Sequence, residues 1–216
     1  MNVAVLGTGM VGKAIATKLV ECGHNVCMGS RTADNSEALS WSRENDASNG
    51  TFNDAALFGE ILFNCTSGLS SIDALKSIDR ANINGKIIID IANEIDSHDG
   101  KPVPLASAKN ILGLKIQNAF PEAKVVKTLN TVNATVMVNP NSLTQPTSIF
   151  LSGNDDPSKS IVKKLLNEFG WVDESIIDLG PIETAAGPEM FLSLWLSIFL
   201  KDLPEMNPFF NIKIVQ

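Results

Sequence analysis

The sequence predicts an α/β fold with a doubly wound, mainly parallel sheet. Short apolar segments alternate with helical patterns from residue 2 to about residue 130, which is typical of parallel strands covered by helices on both faces. A glycine-rich turn lies between the first apolar segment and the first helical pattern. Because no repeat, low-complexity tract or long linker interrupts the 216 residues, we expect a single domain over residues 1–216.

The elements follow one another in a regular order. Strands are expected at residues 2–6, 25–28, 50–52, 61–65, 86–91 and 124–128. The helices among them are expected at residues 11–22, 36–46, 55–58, 71–78 and 108–119. Two further strands, at residues 147–152 and 175–179, flank a helix at 158–170 and extend the sheet. Asp155, Asp156 and Pro157 supply this helix with a cap and a first-turn proline.

The last part of the chain is strongly apolar. Residues 189–200 form a helical pattern in which only Ser193 and Ser197 soften one stripe, so this helix must be buried against other apolar surface. The rest of the domain can cover it in part, and a subunit interface is the alternative. A short final strand is expected at residues 209–215. We therefore expect residues 182–216, a C-terminal helix and strand, to form the contact of a dimer.

The glycine-rich turn is a G-x-G-x-x-G motif between a strand and a helix. Glycines at these positions allow a tight turn, let the backbone approach a pyrophosphate and pack the helix against the strand. The helix N-terminus then offers its N–H groups to the phosphates. In this context the motif predicts a Rossmann-type dinucleotide site formed by Gly7, Thr8, Gly9, Met10, Val11 and Gly12.

The end of the second strand selects the nucleotide. Sites for NAD carry Asp or Glu about 20 residues after the motif, where the acid binds the ribose 2′-hydroxyl. This chain has Gly29-Ser30-Arg31-Thr32 there, with no acid. A guanidinium and two hydroxyl groups suit a 2′-phosphate. We therefore expect NADP(H) as the cofactor, with its phosphate held by Ser30, Arg31 and Thr32.

Small polar residues follow the fourth, fifth and sixth strands. In an open doubly wound sheet the ligand lies beyond the carboxyl ends of the strands. These residues are suited to hydrogen bonds with the nicotinamide ribose and carboxamide. The candidates are Thr66, Ser67, Gly68, Ala92, Asn93 and Asn130.

Residues for acid–base catalysis are scarce. The chain has no tyrosine, which excludes the Tyr-Lys proton donor of the short-chain dehydrogenases. His24 precedes the second strand at the wrong edge of the sheet, His98 lies in a polar loop, and Lys124 and Lys127 are interpreted as ordinary charges. Reduction of a carbonyl needs a proton donor, whereas a flavin-type ring delocalises the charge itself. The sequence therefore favours a flavin or deazaflavin as hydride acceptor, and we assign no catalytic residue.

Composition limits the partners and the compartment. The net charge of −7 argues against a nucleic-acid partner. The N-terminus lacks a secretory pattern, and the longest apolar stretch, residues 190–200, is shorter than the roughly 20 residues that span a bilayer. Cys22, Cys27 and Cys65 lack metal-ligand spacing and are expected to be small buried side chains. We expect a cytoplasmic protein with no membrane span and no metal.

Several segments together resemble the NADPH-dependent F420 reductases, a family of NADP oxidoreductases that use the deazaflavin coenzyme F420. The similarity runs nearly end to end. It covers the motif at residues 7–12 and the segments 29–31, 127–132, 152–155, 178–181 and 211–214, with the apolar helix between the last two. The chain is also similar to the cytosolic reductase domains of six-transmembrane metalloreductases, which share the Lys-x-x-Asn-Thr pattern seen here from Lys127 to Thr131.

The resemblance implies a specific set of partners. It implies NADP(H) bound by Thr8, Gly9, Met10, Val11, Ser30 and Arg31, with the nicotinamide near residues 66–68 and Asn130. It implies hydride transfer to a small-molecule acceptor, which is FMN, FAD or a deazaflavin of the F420 type. It also implies a homodimer formed through the C-terminal region.

Two alternatives remain at this point. The chain could be a non-catalytic NADP(H)-sensing dimer, in which the nucleotide stabilises the subunit interface. It could also be an imine or carbonyl reductase of the pyrroline carboxylate reductase type. Those enzymes use a long helical dimer domain, and the strand pattern after residue 145 argues against this reading.

Overall fold

The structure is a computed structural model and describes residues 1–201 and 209–215. Within these residues the strands are β1 (Asn2–Leu6), β2 (Asn25–Ser30), β3 (Ser48–Thr51), β4 (Ile61–Asn64), β5 (Ile87–Asp90), β6 (Ile95–His98), β7 (Lys101–Pro104), β8 (Lys124–Lys127), β9 (Ile149–Gly153) and β10 (Ile176–Asp178). The helices are α1 (Met10–Glu21), α2 (Ser36–Glu44), α3 (Phe52–Phe58), α4 (Gly68–Lys76), α5 (Leu112–Ala119), α6 (Ala134–Val138), α7 (Asp156–Glu168) and α8 (Ala186–Lys201).

One large sheet organises the chain, in the strand order β10-β9-β8-β5-β4-β1-β2-β3. The strands from β8 to β3 in this order are parallel. β9 is antiparallel to β8, and β10 is parallel to β9. The predicted fold is confirmed: a Rossmann-type, doubly wound and mainly parallel sheet, extended by two strands and followed by an apolar helix.

The strand directions decide which loops share an edge. Leu6 at the end of β1 is level with Gly29 on β2 and with Asn64 on β4. Asn64 is in turn level with Asp90 on β5, and Asp90 with Lys127 on β8. The loops that follow these five strands therefore lie together at one edge. Because β9 runs the other way, the segment after it starts at the opposite edge.

Apolar side chains cover both faces of the sheet. β4 and β5 are buried along their whole length, as expected for parallel strands between two layers of helices. Successive residues point to opposite faces, so β1 gives Val3 and Val5 to one core and Ala4 and Leu6 to the other. Helices α1, α2, α6 and α7 pack on the first face, and α3, α4 and α5 on the second.

A β-hairpin replaces the polar loop expected around His98. β6 and β7 pair antiparallel, with His98 opposite Lys101. Asp99 and Gly100 between them have φ values of +51° and +73°, the positive values that a type I′ turn needs at both central residues. The expected polar turn is present and exposed, but the two paired strands beside it were not predicted, although an Asp-Gly pair is a strong signal for a two-residue hairpin turn.

The strand expected at residues 209–215 is not formed. The segment is irregular, although it runs beside Thr147 and Ser148, the two residues that precede β9. The backbone N–H of Ser148 donates to the carbonyl of Ile212 at 3.0 Å. The neighbouring bonds involve side chains, since Asn211 Nδ2 donates to the carbonyl of Ser148 and the N–H of Ile214 donates to the Ser148 hydroxyl. Because side chains take the place of backbone partners, no regular ladder develops.

Several helix starts also differ from the prediction. α3 begins at Phe52 because Thr51 and Asp54 form a capping box, each side chain accepting from the other residue's backbone N–H. α5 begins at Leu112 rather than at residue 108, and α6 was not predicted. α7 begins at Asp156, but Asp155 makes no side-chain cap bond and lies instead 3.6 Å from the Lys124 ammonium.

Among residues 1–201 and 209–215, no helix combines the length and the hydropathy that a bilayer crossing requires.

Candidate functional site

The glycine-rich turn between β1 and α1 is held by two close backbone contacts. Gly7 has a φ of +122°, and a Cβ on it would lie 2.6 Å from the carbonyl oxygen of Cys65. A Cβ on Gly12 would lie 2.1 Å from the carbonyl oxygen of Gly7. Gly9 differs, since its φ is −76° and a Cβ there would have no atom within 4 Å. The fold therefore requires Gly7 and Gly12, whereas nothing in the described chain requires Gly9.

Gly9 is the N-cap residue of α1 and leaves the end of the helix open. No side chain caps α1, and its first turn contains no acidic residue. The N-terminus of a helix carries about half a positive charge and unpaired N–H groups, which together attract anions. An open helix end beside a glycine with free space is the geometry that a phosphate group can approach.

A cavity of about 650 Å³ lies beside this helix end. Its wall includes the turn, the end of β2 and one face of α4. Arg31 is exposed at its rim, and no carboxylate among the described residues pairs with it. The buried hydroxyl of Ser30 donates to the carbonyl of Thr32, and it can donate to a phosphate oxygen only by turning away from that carbonyl. The cavity is lined by Gly7, Thr8, Gly9, Ser30, Arg31, Asn35, Phe52, Cys65, Thr66, Ser67, Ser70, Asp73, Ala74 and Ser77.

A second cavity, of about 540 Å³, adjoins the first and shares four lining residues with it, Gly9, Cys65, Thr66 and Ser67. Among residues 1–201 and 209–215, no Asp, Glu, Lys, Arg or His lines it. The one thiol there, Cys65, is kept neutral because burial and the nearby Asp90 carboxylate raise its pKa. The remaining lining residues are Met10, Val11, Ile91, Ala92, Asn93, Ile95, Asn130, Thr131, Val132, Asn133, Ala134, Met137, Leu192 and Trp195.

Two asparagines on neighbouring loops fix the floor of the second cavity. Asn93 Nδ2 donates to the carbonyl of Asn130 at 2.8 Å, and Asn130 Nδ2 donates to Asn93 Oδ1 at 3.0 Å. Asn130 Nδ2 also donates to the carbonyl of Pro188 at 3.0 Å, which ties α8 to this floor. This reciprocal pair holds the loops after β5 and β8 together and brings Leu192 and Trp195 of α8 to the cavity wall.

A buried cluster of three charges lies behind the floor. Lys127 Nζ is 2.8 Å from Asp90 Oδ2 and 3.3 Å from Glu189 Oε1, and all three side chains are almost completely buried. Burial alone lowers the pKa of Lys127, but the two carboxylates outweigh burial and hold that pKa above its ordinary value. Lys127 is therefore charged, but it belongs to a buried ion-pair cluster and is not the ordinary charge that the sequence predicted. We call Lys127, Asp90 and Glu189 the buried triad.

Most of the residues predicted for the site line one of the two cavities. Three do not. Gly12 packs against Gly7, and a Cβ on Gly68 would lie 2.3 Å from the carbonyl oxygen of Asn93, so both serve the packing of the turns. Thr32 is exposed beside the first cavity, and its carbonyl accepts a hydrogen bond from the Ser30 hydroxyl.

Sequence reasoning missed two walls of the cavities. One is the face of α4 formed by Ser70, Asp73, Ala74 and Ser77, whose helical spacing could have placed them together once Thr66 was selected. The other is α8, whose apolar character was attributed to a core or subunit contact and not to a cavity. Leu192 and Trp195 give no separate signal in the sequence.

The histidines lie away from both cavities. His24 Nε2 is 2.6 Å from Glu168 Oε2 beside the chain's first residue, and His98 is exposed in the hairpin next to Asp99. The three cysteines are free thiols. In the described part of the chain, no three His, Cys, Asp or Glu side chains are grouped in a way that could hold a metal ion.

Comparison with known proteins identifies the family. A family described as NADP oxidoreductase, coenzyme F420-dependent, matches residues 2–94. The crystal structure of a protein described as an F420-dependent NADP-reductase from Arthrobacter sp. FB24 is 40% identical in sequence, with a TM-score of 0.90, over 99% of both chains. The chain belongs to this family. This member of the F420-dependent NADP oxidoreductases is thus an NADP-dependent oxidoreductase, as the motif and Arg31 predict.

More distant structures share the fold. A protein from Sinorhizobium meliloti is 23% identical, with a TM-score of 0.69 over 87% of this chain and 88% of its own. A reductive aminase from Aspergillus terreus, solved with NADPH and ethyl levulinate, is 16% identical, with a TM-score of 0.67. That match covers 93% of this chain but 62% of the aminase, so the aminase has a further part that this family member does not match.

Proposed function

We propose that this oxidoreductase transfers hydride between NADP(H) and a flavin or deazaflavin ring, with a deazaflavin of the F420 type as the first candidate. The observation that carries the proposal is the second cavity, which adjoins the first and has no charged side chain among the described residues that line it. Such a cavity can hold a planar neutral ring against the nicotinamide. The described part of its lining offers neither a carboxylic acid nor an ammonium group to protonate an alkoxide, and no cation to hold a substrate carboxylate.

The first cavity is proposed to hold the adenosine half of NADP(H). The open end of α1 and the space at Gly9 suit the pyrophosphate, and Thr8, Met10 and Val11 surround it. The unpaired guanidinium of Arg31 suits the 2′-phosphate, since arginine binds phosphate through two parallel hydrogen bonds. Ser30 and Thr32 are proposed to complete this phosphate site by donating their hydroxyl protons to it, for which the Ser30 hydroxyl turns away from the Thr32 carbonyl.

The second cavity is proposed to bring the nicotinamide and the acceptor together. When bound, NADPH supplies a hydride, which is equivalent to two electrons and one proton, and it leaves as NADP⁺. The reduced acceptor takes any further proton from water. The protein's part is alignment and exclusion of water. Thr66, Ser67, Ala92, Asn93 and Asn130 offer polar groups for the ribose and carboxamide, and Leu192 and Trp195 form the opposite apolar wall.

We propose that the chain forms a homodimer through residues 182–216, because one face of α8 in this region is apolar and exposed. Met190, Leu194 and Ile198 are spaced four residues apart, so they form a continuous stripe along the helix. They are 40%, 54% and 41% exposed. An apolar stripe of this length on a helix is typical of a protein interface, and a second copy would bury it. The free thiols fit a reducing compartment, and we propose the cytoplasm.

The test is turnover with defined acceptors. NADPH or NADH would be mixed with the protein and with FMN, FAD or a deazaflavin in turn, and oxidation followed at the nicotinamide absorbance. The proposal expects NADPH to be consumed with at least one ring acceptor, and far faster than NADH. Tight NADPH binding without turnover on any ring would favour the NADP(H)-sensing dimer instead. Turnover with cyclic imines alone would favour an imine reductase.

A further inference from the structure

The buried triad carries an excess of negative charge. Lys127 supplies one positive charge, whereas Asp90 and Glu189 supply two negative charges. Glu189 also accepts hydrogen bonds from the N–H groups of Leu112 and Gly113, at 2.7 and 2.9 Å. These groups start α5, and a helix start contributes about half a positive charge. The net charge of the triad and this helix start is still negative. Because the triad is buried, water and salt screen this charge only weakly.

The triad lies directly behind residues that line the second cavity. Lys127 Nζ donates to the carbonyl of Ala92, and the N–H of Ala92 donates to Asp90 Oδ1 at 3.3 Å. Pro188, the neighbour of Glu189, accepts from Asn130. Ala92 and Asn130 both line the cavity, whereas none of the three charged residues does. The charges can therefore act on a bound ring through the electric field but not by contact.

The field has a particular target in this reaction. The nicotinamide ring is neutral in NADPH and positively charged in NADP⁺. No charged side chain among the described residues lines the second cavity, and the triad places its net charge one residue behind that lining. A negative potential stabilises the charged ring relative to the neutral one, and two groups several ångströms apart inside a protein still interact appreciably.

We infer that the buried triad tunes the bound nicotinamide toward its oxidised form, so that NADPH is a stronger hydride donor on the protein than in water. This inference rests on the proposed placement of the nicotinamide in the second cavity. The ratio of the dissociation constants of NADP⁺ and NADPH measures the effect. A protein that binds NADP⁺ more tightly than NADPH shifts the equilibrium between the bound nucleotides toward NADP⁺ by that same factor. The three residues are positioning residues here, not catalytic residues.

The experiment compares the dissociation constants of NADPH and NADP⁺ in wild type, Asp90→Asn and Glu189→Gln. Each substitution removes one negative charge and keeps the shape of the side chain. In wild type we expect NADP⁺ to bind more tightly than NADPH. In each variant we expect the Kd of NADP⁺ to rise relative to that of NADPH by about threefold to tenfold, from Coulomb interaction at an effective dielectric constant near 20. Glu174→Gln, which removes an exposed charge that lines neither cavity, should leave the ratio unchanged.

The outcomes separate an electrostatic role from a structural one. If a variant weakens both nucleotides by the same factor, the triad only supports the fold, and the inference is overturned. A wild type that prefers NADPH overturns it without any variant, even if both variants fail to fold. If the Kd of NADP⁺ rises relative to that of NADPH in the variants but no flavin or deazaflavin is turned over, the inference stands and the proposed acceptor is rejected. A wild type that binds neither nucleotide rejects both.

Discussion

Gly12 and Gly7 approach each other so closely that a Cβ on Gly12 would lie 2.1 Å from the carbonyl oxygen of Gly7. Gly9, between them, would have no atom within 4 Å of its Cβ. We therefore expect Gly12→Ala to destabilise the fold, by about 1–3 kcal/mol in the free energy of unfolding. Gly9→Ala should fold with nearly wild-type stability and bind NADPH at least tenfold more weakly, because the methyl group would occupy the space proposed for the pyrophosphate.

Urea unfolding and NADPH titration of the two variants check this pair of expectations. Each variant serves as the control for the other, since both add one methyl group to the same turn. If Gly9→Ala binds NADPH normally, the pyrophosphate does not lie at the start of α1. A fully stable Gly12→Ala would contradict the close packing of β1 against α1.

Arg31 is expected to decide between NADPH and NADH. Arg31→Ala should weaken NADPH by about 1.5–3 kcal/mol, a tenfold to hundredfold loss, because a charge-assisted bond to the 2′-phosphate disappears. NADH lacks that phosphate and should bind almost as in wild type. Binding of both nucleotides is measured by fluorescence titration, with Arg43→Ala on α2 as a matched control that removes another arginine. Equal losses for NADPH and NADH would show that Arg31 does not contact the 2′-phosphate.

Local patterns were enough to predict most of the fold. The parallel direction of the strands from β3 to β8 follows from the alternation of apolar and helical segments, whereas their order in the sheet was not predicted. The residues around Gly9 and Arg31 could be chosen because each chemical role depends on a short segment next to a strand end. Each of these features is encoded within a few neighbouring residues.

The parts that were missed depend on contacts between distant segments. In the sequence, nothing distinguishes Lys127 from an ordinary charged residue. Its role appears only in the fold, where β5 brings Asp90 and α8 brings Glu189 to the Lys127 ammonium. Trp195 reaches the second cavity only because α8 crosses back over the carboxyl edge of the sheet. The hairpin around Asp99 is the exception, since its Asp-Gly turn was visible in the sequence and was passed over.

The thiols are expected to be unreactive in the native protein. Burial is the main reason that the pKa of Cys27 is raised to about 11, and burial also raises the pKa of Cys65 and of the less buried Cys22. The thiolate is the reactive form, so a thiol with a raised pKa reacts slowly at pH 8 and faster as the pH rises. A disulfide reagent at pH 8 should label the three thiols slowly in buffer and rapidly in guanidinium chloride. Rapid labelling of Cys65 in the native protein would mean that the floor of the cavities opens readily.

The stripe on α8 gives the last prediction. Leu194, the most exposed of its three residues at 54%, would sit at the centre of the proposed dimer contact. Leu194→Arg should convert the dimer to a monomer, because it removes apolar contact worth about 1.5–3 kcal/mol on each subunit and buries an unpaired charge. Leu57→Arg on α3 is the control, since Leu57 is 67% exposed and lies outside both cavities. Sedimentation velocity should show a monomer for Leu194→Arg and a dimer for Leu57→Arg, with NADPH binding retained in both. If wild type and Leu194→Arg have the same mass in solution, the stripe is not the contact between subunits.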